Sequence, residues 1–402
     1  MKIVEINTVC GTGSTGKITV DIYKLAKAAG YIPLIAYGRG KSPEGITTYK
    51  ISNSFDFTRH VLVNFFQGKS GFASREVTKK FLNWLEQIQP NLLHLHNIHG
   101  FYLHTGMLFR YIKERNIPVI WTLHDCWLLT GQCAFFEYSG CKKWQTRCYD
   151  CPVFRTEYPY SLFKDNSNNN YIVKKESFTG VNNLTIVTPS QWLSDIVSCS
   201  FLKEYPKFVI PNGIDLQLFH PMGDKNISPN SKKIILGVAN VWEHRKGFEH
   251  FLELDKMLDY SWEIVLIGVN KKQENFIRKN CQHTLALPKT ATQSELAKWY
   301  SCAYVYVNPT LEDNFPTTNL EALACGTPVI TYQTGGSPEC LTKNCGVVVE
   351  KGNIQGLINA IYSLEDTNHI TAEACRKQAQ KYDKNIRFQE YIKLYKNILQ
   401  QV

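Results

Sequence analysis

Tyr304-Val305-Tyr306-Val307, then Pro309-Thr310-Leu311-Glu312-Asp313-Asn314-Phe315-Pro316-Thr317-Thr318-Asn319-Leu320-Glu321-Ala322-Leu323-Ala324-Cys325-Gly326-Thr327-Pro328, then Val329-Ile330-Thr331: these three runs read as strand, loop, short helix, stop and strand. The flanking runs are β-branched and aromatic, which favours extended backbone. Thr317 or Thr318 is expected to cap the helix, and Gly326 with Pro328 to end it. A helix start carries free backbone N–H groups and a positive dipole end, so it can hold a phosphate. Asp313 in the loop and Glu321 inside the first turns flank that start. Thr318-x-x-Glu321 also spells a capping box, in which Glu321 only ties back to its own helix, so cap and ligand both stay open for it.

Working outward, strand and helix signals alternate from the N-terminus: Lys2–Thr8, a helix from about Lys17 to Ala29, then Pro33–Tyr37. That is a βαβ opening and predicts an α/β fold with a parallel sheet. The 402 residues suffice for two or three domains. A hydrophobic fraction of 44% and a charged fraction of 20% exclude a disordered chain. No apolar run approaches the roughly 20 residues of a membrane span. Met1-Lys2-Ile3-Val4-Glu5-Ile6 lacks the h-region of a signal peptide, so the chain is expected in the cytoplasm, with its 13 cysteines mostly reduced. The net charge of +10 comes without a block of basic residues or a nucleic-acid fold signature. It points to anionic lipid or nucleotide and not to nucleic acid.

Gly11-Thr12-Gly13-Ser14-Thr15-Gly16-Lys17 lies between the first strand and helix. As G-x-G-x-x-G it matches a dinucleotide loop, but Gly38-Arg39-Gly40-Lys41 stands where an acid is expected; that suits a 2′-phosphate, as in an NADP oxidoreductase. As G-x-x-x-x-G-K it matches a P-loop, except that Ile18 follows the lysine and Thr19 comes one place late. An ordinary tight turn is the plain alternative. Leu92-Leu93-His94-Leu95-His96-Asn97 is a buried-type strand with two histidines on one face. Pro118-Val119-Ile120-Trp121-Thr122-Leu123-His124-Asp125 ends a strand in His-Asp, where open α/β sheets bind ligands; Asp125 is placed to orient His124 or to receive an acceptor. Phe55–Leu85 is helical, basic and aromatic, so it serves either as helices packed on a sheet or as a surface resting on an anionic bilayer.

Cys126, Cys133, Cys141, Cys148 and Cys151 follow closely, the last pair as C-x-x-C. In a reducing compartment Cys133, Cys141, Cys148 and Cys151 are candidates for a structural zinc, with free buried thiols the alternative. Further on, Asn240-Val241-Trp242-Glu243-His244-Arg245-Lys246-Gly247 follows a strand and precedes a helix. Cations there suit phosphate, Arg by its fork and Lys as a point charge. Pro221–Lys233 is polar and expected to be a surface loop.

Six features in order resemble the retaining GT-B glycosyltransferases of family GT4. They are the Gly-rich loop, Thr122-Leu123-His124-Asp125, Val209-Ile210-Pro211-Asn212-Gly213-Ile214-Asp215, Lys246-Gly247, Asp313-x7-Glu321 and Thr334-Gly335-Gly336-Ser337-Pro338-Glu339. The cysteine-rich insert narrows the likeness to enzymes of bacterial capsule and exopolysaccharide synthesis. The resemblance implies two Rossmann-like domains facing across a cleft. Residues 1–205 would bind the acceptor and carry the insert 126–152, residues 206–382 would bind a nucleotide sugar, and a helix over 383–400 would pack back on the first domain. It implies transfer of a hexose from a UDP- or GDP-sugar to a glycan, lipid-linked at the inner membrane face, with no metal or other cofactor for catalysis. His124, Arg245, Lys246 and Asp313 would be catalytic. Gly13, Asn240, Asn314, Phe315, Pro316, Thr317, Thr318 and Glu321 would line the donor site. Two positions depart from the family pattern: Asn240 stands at the usual Arg place, and Asp313 replaces a Glu one methylene longer. A catalytically decayed sugar-binding protein is the corresponding alternative.

Overall fold

The computed structural model describes residues 1–222 and 232–401. The middle of the polar segment expected as a surface loop, residues 223–231, lies outside the described residues. The chain divides into two compact units, Met1–Pro211 with Arg387–Val402, and Asn212–Ile386.

The first unit is a seven-stranded sheet, β1 (Lys2–Val9), β2 (Ile32–Arg39), β3 (Thr48–Lys50), β4 (Leu92–Leu95), β5 (Val119–Thr122), β6 (Leu184–Thr188) and β7 (Lys207–Val209), in the order β3-β2-β1-β4-β5-β6-β7. Every pairing is parallel. Parallel strands need crossovers, supplied here by α1 (Gly13–Ala28), α2 (Ser54–Gln67), α3 (Arg75–Ile88), α4 (Thr105–Arg115), α5 (Ser167–Phe178) and α6 (Gln191–Ser198). Helices cover both faces, which is why β4, β5 and β6 are buried at every position. Thr105–Arg115 and its neighbours fill one face, around Phe109, Trp121 and Phe178.

The second unit is a six-stranded parallel sheet, β8 (Lys233–Val238), β9 (Trp262–Ile267), β10 (Thr284–Leu287), β11 (Val305–Asn308), β12 (Val329–Tyr332) and β13 (Gly346–Val349), in the order β10-β9-β8-β11-β12-β13. Its helices are α7 (Phe248–Met257), α8 (Lys271–Asn280), α9 (Gln293–Cys302), α10 (Thr317–Ala324), α11 (Ile354–Ser363) and α12 (Ala372–Gln380). The last helix, α13, runs Lys384–Gln401. Its residues Phe388, Tyr391, Ile392, Leu394 and Tyr395 are buried against Ile3, Ile18, Ile22 and Ile120 of the first unit's sheet and α1.

Two local expectations are corrected. The helix expected from Lys17 begins at Gly13, because Gly13 at φ +65° turns the chain tightly enough to start it at once. The helix expected to be capped by Thr317 or Thr318 begins at Thr317, with Pro316 at the capping position and no side-chain cap. Proline's fixed φ, −68° here, sets the chain for entry to the helix without a hydroxyl.

Candidate active site

In both sheets the candidate residues gather where strands end and loops begin, the carboxyl edge at which parallel sheets bind ligands. In the first unit that edge holds four histidines. His94 sits inside β4, fully buried, with Nδ1 2.6 Å from the Tyr395 hydroxyl and Nε2 2.8 Å from the Thr122 hydroxyl. His96, just past β4, places Nδ1 3.0 Å from His124 Nε2 and Nε2 3.4 Å from a Glu5 carboxyl oxygen. Glu5, His94 and His96 bring ligand atoms within 4.8 Å of one another, but both His94 nitrogens are already hydrogen-bonded, so the set reads as a polar chain through the core. Burial drives all of it toward neutrality. It raises Glu5 well above the usual carboxyl range, lowers His94 to about 3 and lowers His96 well below its ordinary value. His124 is lowered to about 4, by burial first, with Asp125 opposing and His99 adding to the shift. At neutral pH His124 is therefore an uncharged imidazole, able to exchange hydrogen bonds but not to act as a cation.

Asp125, placed by the sequence to orient His124 or to receive an acceptor, pairs in the structure with His99. Its Oδ2 lies 2.8 Å from His99 Nε2, and its Oδ1 accepts the Trp127 amide at 2.9 Å. Burial alone would raise the Asp125 carboxyl, but His99 and that amide together hold it below its usual range. Gly13 is exposed as the first residue of α1. Thr19, the late hydroxyl of the P-loop pattern, is buried and donates to the Gly16 carbonyl at 2.9 Å. That hydroxyl is spent inside the helix and cannot serve magnesium.

In the second unit the loops after β8, β11 and β12 converge. Arg245 and Lys246 lie in a 3₁₀ turn, His244–Lys246, after β8. The Lys246 ammonium is hydrogen-bonded to Asp313 Oδ2. Arg245 donates to the Glu312 carbonyl at 2.7 Å, and its guanidinium lies 3.9 Å from the same Asp313 oxygen. The Arg245 carbonyl in turn accepts the Leu311 amide at 2.8 Å, which locks the two loops together. Burial lowers the Lys246 ammonium, Asp313 pulls the other way and Arg245 adds to the lowering. Burial would raise Asp313, but Lys246 and Arg245 beside it, with the Phe315 amide, hold its carboxyl below the usual range. The cluster is thus two cations around Asp313, with the Glu243 carboxylate, 3.8 Å from Arg245, as a second anion.

The turn after β12 closes on this cluster. The Gly336 amide donates to the Asp313 carbonyl at 3.0 Å, and the Thr334 hydroxyl to the Leu311 carbonyl at 2.8 Å. Gly335 holds φ +52°, and a Cβ there would lie 2.0 Å from the Asp313 carbonyl oxygen, so only glycine permits the approach. Asn314, Phe315 and Pro316 are buried, while Thr317 and Thr318 are half-buried at the start of α10. Glu321 does not close a capping box: one of its carboxylate oxygens accepts the Tyr300 hydroxyl at 3.0 Å. Asn240 lies on the loop after β8 and is exposed. Two cavities of this unit, about 450 and 530 Å³, are lined by other residues and touch neither Lys246 nor Asp313 nor Glu321.

Several partners were not visible in the sequence. Asn212 of the Pro-Asn-Gly run donates to the Phe315 carbonyl at 3.0 Å, bracing the loop over α10. Tyr300 and Glu5 are also unforeseen. For Glu5 a signal existed: the one acid of β1, set between the apolar residues Val4 and Ile6.

Comparison with known proteins follows the same division. Residues 25–218 match the model of Glycosyltransferase Family 4, and residues 223–382 that of Glycosyl transferases group 1. The chain is 22% identical over 422 residues to WcaC of Escherichia coli K12, a glycosyl transferase named for colanic acid biosynthesis, covering 99% of this chain and 100% of that one. It is 28% identical over 193 residues to the Escherichia coli UDP-Gal:alpha-D-GlcNAc-diphosphoundecaprenol alpha-1,3-galactosyltransferase, covering 42% of this chain and 48% of that one. Among solved structures, sucrose-phosphate synthase from Thermosynechococcus elongatus superposes with a TM-score of 0.76 at 16% identity, covering 100% of each chain. Its fold is therefore that of the GT-B glycosyltransferases, two Rossmann-like α/β domains.

Proposed function

The chain belongs to the glycosyltransferases of family 4, and on that premise we propose that it moves a hexose from a nucleoside-diphosphate sugar to a lipid-linked glycan, with retention of configuration, in the synthesis of a bacterial surface polysaccharide. The NADP oxidoreductase alternative is set aside by the family matches across both halves of the chain. One observation carries the proposal: Arg245, Lys246 and Asp313 meet beside the uncapped start of α10. Sugar transfer leaves a nucleoside diphosphate, and charge grows on its bridging oxygen in the transition state. Two cations and the free amides of a helix start are preorganised to meet that charge. They supply this without a metal ion. In this reading Asp313 leaves its ion pair to hold sugar hydroxyls, Lys246 and Arg245 turn to the diphosphate, and Glu321 accepts a ribose hydroxyl. A donor phosphate oxygen takes the acceptor proton. His124, kept neutral, hydrogen-bonds a sugar hydroxyl.

A lipid-linked acceptor is supported by the galactosyltransferase relative, whose name specifies a diphosphoundecaprenol acceptor and UDP-Gal as donor. It is also supported by a surface of the first unit. On α2, Phe55, Arg59, Leu62 and Phe66 share one face, and Phe55, Leu62 and Phe66 are 75%, 49% and 52% exposed. Phe163, 61% exposed, stacks on Phe66 with ring centroids 5.2 Å apart, and exposed Lys69 and Lys164 lie nearby in sequence. An apolar stripe with basic neighbours suits an anionic bilayer surface. Among the described residues no helix is long and apolar enough to cross a membrane.

The test is incubation with a panel of UDP- and GDP-sugars, following release of the nucleoside diphosphate. Slow hydrolysis of one donor is the expected result. Donor binding without any turnover would instead favour the decayed sugar-binding protein. No binding of any nucleotide sugar would overturn the proposal. For the membrane surface, sedimentation with phosphatidylglycerol vesicles should exceed that with phosphatidylcholine and fall in Phe66→Asp.

A further inference from the structure

From Thr130 to Asn166 the first unit contains almost no regular structure, only a 3₁₀ turn at Lys143–Gln145. Irregular segments beyond about 12–15 residues are uncommon inside compact domains, because few backbone hydrogen bonds and little apolar burial hold them. This one is nonetheless well buried at Cys133, Ala134, Phe136, Trp144, Cys148 and Val153. Something other than a ladder or a helix must fix its path.

Four thiols converge there. Cys133, Cys141, Cys148 and Cys151 line one small pocket together with Trp144 and Lys143. None is in a disulfide. Cys133 and Cys151 share a hydrogen bond, although eighteen positions separate them. Backbone amides point at the sulfurs: Gly131 N–H donates to Cys148 Sγ at 3.2 Å, and Val153 N–H to Cys151 Sγ. A side chain at Gly131 would meet Cys148 Cβ at 2.9 Å and the Ser167 carbonyl at 1.9 Å, so the amide reaches the sulfur only because residue 131 is glycine. Amide donors favour a charged sulfur over a neutral thiol, whose acceptor strength is weak. Countercharge is at hand. Lys174 is fully buried and donates to the carbonyls of Trp127 at 2.6 Å and Thr130 at 2.8 Å; burial lowers its ammonium well below its usual range, and Cys148, Cys133 and Asp125 near it pull the other way. A buried ammonium among carbonyls and an aromatic ring is costly unless negative charge stands near it.

We propose that Cys133, Cys141, Cys148 and Cys151 bind one structural zinc ion that staples the Thr130–Asn166 segment to the sheet. Four sulfurs, no imidazole and no open position are the donor set of a closed tetrahedral site. Each thiol loses its proton to solvent as its sulfur–zinc bond forms, and the sulfurs close on the pocket centre to about 2.3 Å from the metal. The resulting double negative charge is offset by Lys174 and Lys143. The site supports the fold and takes no part in sugar transfer, so it stands or falls apart from the donor-site assignment.

The experiment is elemental analysis of the full chain, purified under reducing conditions from zinc-supplemented cells. One zinc per chain is expected, retained in Cys199→Ser, whose thiol is exposed and lies outside the segment. Cys148→Ser and Cys151→Ser should lose the metal and unfold at lower temperature. Because those variants could fail to fold, wild-type protein is also titrated with an organomercurial, and zinc release should follow modification of four thiols. Replacing zinc with cadmium should bring in thiolate-to-cadmium charge-transfer absorption. Zinc absent from the wild type, an iron centre in its place, a Cys148–Cys151 disulfide, or zinc retained in a Cys148→Ser/Cys151→Ser double variant would each overturn the proposal.

Discussion

Lys246→Ala removes the ammonium bonded to Asp313 and leaves Arg245 3.9 Å from that carboxylate. The Lys246 and Asp313 side chains are 24% and 17% exposed, so the pair is neither a surface bridge nor a sealed one. Its loss should cost about 1–2 kcal/mol of stability, between the exposed and buried limits, since Arg245 remains to face the acid. The catalytic cost should be larger. Removing one preorganised donor to developing charge typically costs about 10²–10³-fold in kcat, or roughly 3–4 kcal/mol. The ground-state diphosphate is also anionic, so KM for donor rises as well. The assay is donor hydrolysis at varied nucleotide sugar, with calorimetric Kd for the nucleoside diphosphate at low and high salt. The variant should bind more weakly and with a shallower salt dependence, since one cation is gone. Lys246→Arg should recover part of the binding. A kcat/KM unchanged within about threefold would refute the phosphate-site assignment. So would a loss that tracks the fall in Tm while nucleotide affinity stays the same. The pH sign follows from Asp313: its folded value is depressed below the ordinary 3.8, so its stabilising contribution is present above that value and is lost as pH falls through the depressed one.

Glu5→Gln should be more stable than wild type at pH 7, because Glu5 is fully buried with its folded value raised, and the proton it keeps is increasingly unfavourable above its ordinary 4.5. The advantage should shrink by about 1.4 kcal/mol per pH unit toward pH 4.5 in denaturant titrations; a less stable Gln variant at pH 7 would mean that Glu5 is ionised and paired with His96. His60 and His94 at about 3 and His124 at about 4 are neutral in the fold but protonate at 6.5 when unfolded. Stability should therefore fall as pH drops from 6.5 toward 4, with a slope of about 1.4 kcal/mol per pH unit for each such histidine, and His94→Gln should flatten it. Gly335→Ala forces a Cβ to 2.0 Å from the Asp313 carbonyl at a positive φ. It should cost on the order of 1–3 kcal/mol and raise donor KM by displacing Asp313, measured by Tm and hydrolysis kinetics together.

Much of this was legible because parallel strands write themselves plainly. Val119-Ile120-Trp121-Thr122 and Val329-Ile330-Thr331-Tyr332 are short apolar runs buried on both faces, and the loops after them hold the charges. The resemblance to the family's motifs, in order along those loops, marked Lys246 and Asp313, which meet although 67 positions apart. Pairings set by packing were not legible. Asp125 sits next to His124 in sequence, but the strand end turns its carboxylate to His99, 26 positions away. Thr318-x-x-Glu321 has the spacing of a capping box, but Tyr300 on α9 claims the carboxylate. Local spacing reports what a side chain can reach, and tertiary packing decides what it does reach.

Pro316 leaves α10 without a side-chain cap, and the helix has only eight residues. Its opening amides then lack the stabilisation of about 1 kcal/mol that a serine or aspartate would have provided. On the proposed reading an arriving oxyanion completes this turn, which would make occupancy and local order one equilibrium. Hydrogen exchange at Thr317 and Thr318 should slow when nucleotide is added, while the interior of β11 exchanges as before.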